Sequence, residues 1–183
     1  MKQQNPSFFQ RRQENIAKQK LQESVDTVCA RRSWHDAKQF SQICTPAIDR
    51  LTRKDAQWLA NKNYSDCTKV NVLLALGQDD KKNREMASDG RNKKIFGALA
   101  LASAAATTVT ACSSRNVWPT FVMGLATIAL LTKWAYHKGG YEGKHANQTL
   151  ARVTWLNKAD EDPNFKHALT RLAPHIFGMK VNS

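Results

Sequence analysis

Residues 95–132 carry a single charged side chain, Arg115, in a chain of 183 residues of which 23% are charged. A stretch so long and so uncharged has two outlets: the centre of a helical bundle, or a bilayer. It divides at Arg115 into two apolar segments, Ile95–Ser114 and Asn116–Thr132. At about 1.5 Å per helical residue, some 20 residues cross a hydrocarbon core of roughly 30 Å, so the first segment is long enough and the second lies at the short end of the range. The expected fold is all-α: a two-helix transmembrane hairpin flanked by short cytoplasm-facing helical segments.

The two segments differ in character. Asn116–Thr132 is rich in large apolar residues, among them Phe121, Leu125, Ile128 and Leu131. Ile95–Ser114 is mostly Ala, Ser and Thr, and its few large residues offset its hydroxyls only narrowly. Its small residues suggest close packing instead. Ala98, Ala102 and Ala106 form a small-xxx-small row, and Gly124 offers a matching approach on the other segment, or the row meets another subunit. Thr107, Thr108, Thr110, Thr127 and Thr132 can bond back to carbonyls of their own helices. No Asp, Glu or His lies within the spans, which argues against a self-contained ion or proton transporter.

Charge sets the expected orientation. Lys81, Lys82, Arg84, Arg91, Lys93 and Lys94 precede the hairpin, and Lys133, Lys138 and Lys144 follow it, against Arg115 alone in the connection. The positive-inside rule then places both termini on the cytoplasmic side, or on the matrix side of a mitochondrial membrane. Trp118 near the connection, with Trp134 and Tyr136 at the far end, stand where interfacial aromatics belong. The net charge of +13 is spread over both flanks without a dense arginine stripe. Such a diffuse excess suits an anionic membrane surface better than nucleic acid. The start, Met1–Gln19, lacks the apolar core of a secretory signal. Arg11, Arg12 and Lys18 would fit a mitochondrial presequence, but Glu14, Glu23 and Asp26 do not.

Four regions follow: a basic amphipathic helical region (1–77), a charged linker (78–94), the hairpin (95–135), and a glycine hinge with a C-terminal helical tail (136–183). In the first, Phe9, Ile16, Leu21, Val25 and Val28 recur at helical spacing over 8–31. Ser33 caps the next helix, with Asp36 in its first turn. Thr45-Pro46 is expected to open a third, and Ser65-Asp66 a fourth that Gly77 ends in a left-handed conformation, although Val70–Leu76 alone would also suit a buried strand. Residues 78–94 are either an exposed linker or a charged extension of the first span. Gly139, Gly140 and Gly143 are expected to break the second long helix. Asp162-Pro163 starts a last helix, and Pro174 closes it.

No catalytic constellation emerges. HExxH, GxSxG and CxxC are all missing from the sequence, and Cys29 and His35 could meet only through tertiary folding. Lys138–Lys144 has glycines but not the spacing of a phosphate-binding loop. His137 and His145 bracket those glycines and are the one histidine pair that could hold a metal. Cys29, Cys44, Cys67 and Cys112 are too scattered for a disulfide scaffold, and most are expected to sit as reduced thiols on or near apolar faces. Asn63-Tyr64-Ser65 and Asn147-Gln148-Thr149 match the glycosylation pattern but would face the cytoplasm.

The expected role is therefore non-enzymatic, without cofactor or metal. The hairpin anchors the chain, and the basic flanks dock a protein partner, a second copy or anionic lipid. In architecture alone, with no shared motif, the layout resembles proteins that intracellular bacteria insert into host vacuole membranes, and equally accessory subunits of membrane complexes. The alternative is a soluble, basic all-helical module that binds nucleic acid, with 95–132 as its buried core hairpin.

Overall fold

A computed structural model describes residues 8–113 and 117–178. They form seven helices, with no strand among them: α1 (Phe8–Cys29), α2 (Trp34–Arg50), α3 (Arg53–Asn61), α4 (Asp66–Ser113), α5 (Val117–Glu161), α6 (Pro163–Leu172) and α7 (Pro174–Phe177). The chain divides into two compact units. Residues up to 80 and from 151 onward make a helical domain, and Lys81–Leu150 make a second unit, the hairpin. The N-terminal helices and the C-terminal tail are thus parts of one domain. They share one core, to which α1–α4 give the larger part and residues 155–176 the rest.

Local signals account for most helix starts in the domain. Ser33 Oγ accepts from the Asp36 amide at 3.3 Å, and Thr52 Oγ1 accepts from the Asp55 amide at 3.2 Å. Ser65 Oγ accepts from the Thr68 amide at 3.2 Å at the head of α4. Asp162 caps α6 by accepting from the amides of Asn164 and Phe165, with Pro163 in the first turn where its missing N–H is no loss. The core gathers Leu21 and Val25 of α1, Leu59 of α3, Leu73 of α4, and Phe165 and Leu169 of α6, all buried. Each such side chain contributes roughly 1.5–3 kcal/mol of transfer free energy.

Three expected breaks are absent. Pro46 lies inside α2 instead of opening a helix. It removes one backbone donor, but Cys44, Ala47 and Ile48 around it are buried, and that burial holds the helix together. The break falls later, at Leu51-Thr52. Gly77 does not end a helix either: no glycine has positive φ, and α4 runs on through residues 78–94. What Gly77 provides is proximity, since a Cβ there would lie 2.5 Å from the Ile43 carbonyl oxygen. Gly139, Gly140 and Gly143 likewise stay within α5, and Val70–Leu76 is helical.

The cysteines differ from expectation as well. Cys44 is buried and Cys29 half-buried, but Cys67 and Cys112 are exposed. Burial pushes the Cys44 thiol up to about 12, with a smaller push from Cys29. At pH 8 roughly one Cys44 in ten thousand is then a thiolate, the nucleophilic form. Iodoacetamide is expected to modify Cys67 in minutes and Cys44 only on unfolding, a pattern that peptide mass mapping would read directly.

Candidate functional site

The hairpin unit follows a seven-residue rhythm on each helix. Along α4 the positions Asn83, Gly90 and Gly97 are seven apart, and along α5 they meet Gln148, Tyr141 and Trp134, also seven apart and running the other way. Gln148 donates to Asn83 at 2.6 Å. A Cβ on Gly90 would lie 3.3 Å from the Tyr141 ring, and one on Gly97 would lie 3.1 Å from the Trp134 indole. Further along, Thr127, seven residues from Trp134, shares a hydrogen bond of 2.8 Å with Ser103, six residues from Gly97. A repeat of 3.5 residues per turn is the geometry of a left-handed antiparallel pair. Here two of its holes are glycines and the knobs that fill them are aromatic rings.

Within the chain this seam does not run through the small-residue row, which is also a candidate for contact with another subunit. Ala98 and Ala102 are exposed and Ala106 is only half-buried. A Cβ on Gly124 would meet nothing within 4 Å. The contact runs instead through Gly97 and Ala100, which is 3% exposed. Ala98 is one residue from Gly97, a turn of about 100° that carries it off the seam. The heptad spacing of Gly90 with Gly97 and of Trp134 with Tyr141 is visible in the sequence. Trp134 also suits an aromatic belt next to Lys133, and that simpler signal hides the spacing. Trp134 is in fact half-buried against α4, whereas Tyr136 and Trp118 are exposed.

The polar end of the seam is a small electrostatic cluster. Asp89 accepts from Lys144 at 2.8 Å and pairs with His137 at 3.1 Å. Those two hydrogen bonds, Lys144 first, hold the Asp89 carboxyl below the usual carboxylate range, and Asp89 in turn raises Lys144. The His137 ring also stacks on Phe96, with centroids 5.4 Å apart. Gly140 leaves the space for this cluster, since a Cβ there would sit 3.1 Å from the Asp89 carboxylate. His137 and His145, the two histidines that bracket the glycines, are not brought together. His145 stacks on Tyr141 while His137 belongs to Asp89, and no group of three metal-binding side chains exists among the described residues. Cys29 and His35 do not meet: Cys29 Sγ lies 3.5 Å from the Ala37 carbonyl, and His35 pairs with Asp36 at 3.9 Å.

Beyond that cluster the hairpin turns apolar, and its outward side chains have no cover. Leu101 is 75% exposed, Phe121 58% and Ile128 62%. Both helices are long and apolar enough to cross a membrane. Every one of Thr107, Thr108, Thr110, Thr127 and Thr132 donates its hydroxyl to a carbonyl four residues back, as expected for hydroxyls in apolar surroundings. Arg91, Lys94, Lys133 and Lys138 are exposed at the polar end, with Lys93 half-buried beside them. Arg115 lies outside the described residues. No known protein family, characterised protein or solved structure matches the chain.

Proposed function

We propose that the chain is a non-enzymatic integral membrane protein, anchored by the hairpin 95–132, whose helical domain docks a partner protein or anionic lipid. The observation that carries this reading is the exposure of large apolar side chains along both helices. Burying each of them in hydrocarbon is worth roughly 1.5–3 kcal/mol. The competing nucleic-acid module needs 95–132 as a buried core, and only 6% of the apolar window of α4 and none of that of α5 is buried inside the chain. Residues 95–113 of α4 would span about 28 Å at helical rise, close to a hydrocarbon thickness of roughly 30 Å. With basic side chains flanking both ends, the helical domain and both termini lie on the positive, cytoplasmic or matrix, side.

Carbonate extraction of membranes from cells expressing the tagged chain tests this. The protein is expected in the pellet, and changing Leu125, Ile128 and Leu131 together to Asp is expected to release it. A membrane-impermeant maleimide adds the topology: Cys67 and Cys112 should react from opposite sides of sealed vesicles. Complete release of the unaltered chain by carbonate would overturn the reading and make nucleic-acid binding the leading question.

A further inference from the structure

The basic end of the hairpin is more than a diffuse collar. Arg91, Lys93 and Lys94 rim a groove of about 410 Å³. Its floor is Met86, Ala87 and Gly90 of α4, and its wall is the ring of Tyr141 from α5. Gly90 makes the groove possible by letting Tyr141 lie against the helix backbone. Lys93 Nζ stands 4.7 Å from the centre of that ring, which fixes the ammonium at the rim.

Charge at this end is partitioned. Two acids of α4 at this end, Glu85 and Asp89, engage Lys144 and His137. Three cations, Arg91, Lys93 and Lys94, line a partly apolar groove, and among the described residues none of them is held in an ion pair. Depth adds to the argument. Lys94 directly precedes Ile95, where the uncharged stretch begins. Residues 86–94 cover about 12 Å along the helix, which brackets a headgroup layer of roughly 5–8 Å.

We propose that this groove binds the phosphate of an anionic phospholipid, with a preference for a phosphomonoester headgroup such as that of phosphatidate. The preference follows from charge: a phosphomonoester carries up to two negative charges against one for a diester, and three cations converge on it. The glycerol and upper acyl carbons would lie on Met86, Ala87 and the Tyr141 ring. The proposal rests on reading 95–132 as a membrane span.

The test counts phosphatidate bound to the full chain in phosphatidylcholine nanodiscs holding a few per cent of that lipid, by native mass spectrometry. Lys93→Gln with Lys94→Gln is expected to weaken binding at least about tenfold, as losing charge-assisted hydrogen bonds demands. Lys133→Gln with Lys138→Gln removes the same charge at the same end but outside the groove, and is expected to change binding less than about twofold. Ala87→Leu fills the floor without touching any charge and should match the first loss. Phosphatidylglycerol should bind more weakly than phosphatidate, and soluble glycerol phosphate should not compete at millimolar concentration.

Equal losses from the two lysine pairs, or full binding by Ala87→Leu, would overturn the groove and leave only diffuse attraction. Phosphatidylglycerol binding as tightly as phosphatidate would overturn the phosphomonoester preference. Competition by glycerol phosphate would transfer the site to a free phosphate ester. Each of these results leaves carbonate resistance intact, so failure of the site and failure of the membrane reading are separable.

Discussion

Asp79→Ala is expected to lower the stability of the helical domain by about 3–5 kcal/mol, the range seen when one partner of a buried ion pair is removed. Asp79 is buried, its side chain 3% exposed. Its Oδ1 accepts from Arg152 Nε and lies 2.9 Å from a second guanidinium nitrogen, and its Oδ2 lies 2.9 Å from His175 Nε2. One carboxylate thus joins α4, α5 and α7. Alanine would take the Asp79 carboxylate away from Arg152, a largely buried cation whose side chain is 13% exposed. The neighbouring residue is the control. Asp80 pairs with Arg50 at 2.9 Å, but both side chains are 40% or more exposed, so Asp80→Ala should cost under about 1 kcal/mol. Thermal denaturation of the detergent-solubilised chain followed by circular dichroism would show Tm falling by about 12–20 °C for the first and a few degrees at most for the second. Similar Tm values for the two variants would show that the buried pair contributes no more than a surface one. Replacing Asp79 and Arg152 together by Leu and Met should recover part of the loss.

The second large effect changes sign with position. Gly77→Ala gains about 1 kcal/mol of helix propensity, yet its methyl would press into the Ile43 carbonyl at 2.5 Å and the Ile43 Cγ2 at 2.8 Å. A backbone oxygen cannot swing aside as a side chain can, so α2 and α4 must part. Overpacking of this kind costs about 1–3 kcal/mol or more, and net destabilisation is expected. Gly139→Ala and Gly143→Ala, on α5, meet nothing within 4 Å and should each stabilise by roughly 0.5–1 kcal/mol. Thermal melts of the three variants test both halves of the argument. A Gly77→Ala protein as stable as the parent would mean that the α2–α4 approach is not tight.

These two cases also show where the sequence was readable. Features settled within four residues were legible: the Ser33 and Asp162 caps, the Leu21, Val25 and Val28 part of the apolar face of α1 (Phe9 and Ile16 are exposed), and the threonine hydroxyls that fold back on their own helices. The uncharged run 95–132 was legible too, because length and composition suffice to define it. Pro46, Gly77 and Gly140 misled for one shared reason. Each is a local helix breaker whose preference of about 1–3 kcal/mol is outweighed by packing against residues distant in sequence. Gly77 answers to Ile43 and Gly140 to Asp89, and neither partner can be inferred from its neighbours. The domain core was illegible for the same reason, since its two parts stand at opposite ends of the chain. The hairpin seam is an intermediate case. Its heptad was present in the positions of two glycines and two aromatic residues, but a row of alanines one residue away gave a more familiar signal.

That split core has a bearing on how the protein is made. Residues 81–150 emerge from the ribosome between the two parts of the domain. At about 5–20 residues per second, the first part waits roughly 4–14 s before translation reaches its complement. Throughout that interval Leu21, Leu59 and Leu73 lack Phe165 and Leu169, and at its end every residue of the hairpin has been made. The order of events is therefore written into the chain: the hairpin segment is complete, and available to whatever receives it, before the domain closes. A ribosome that stops short of α6 would leave an apolar surface uncovered, an unmistakable target for chaperones and proteases.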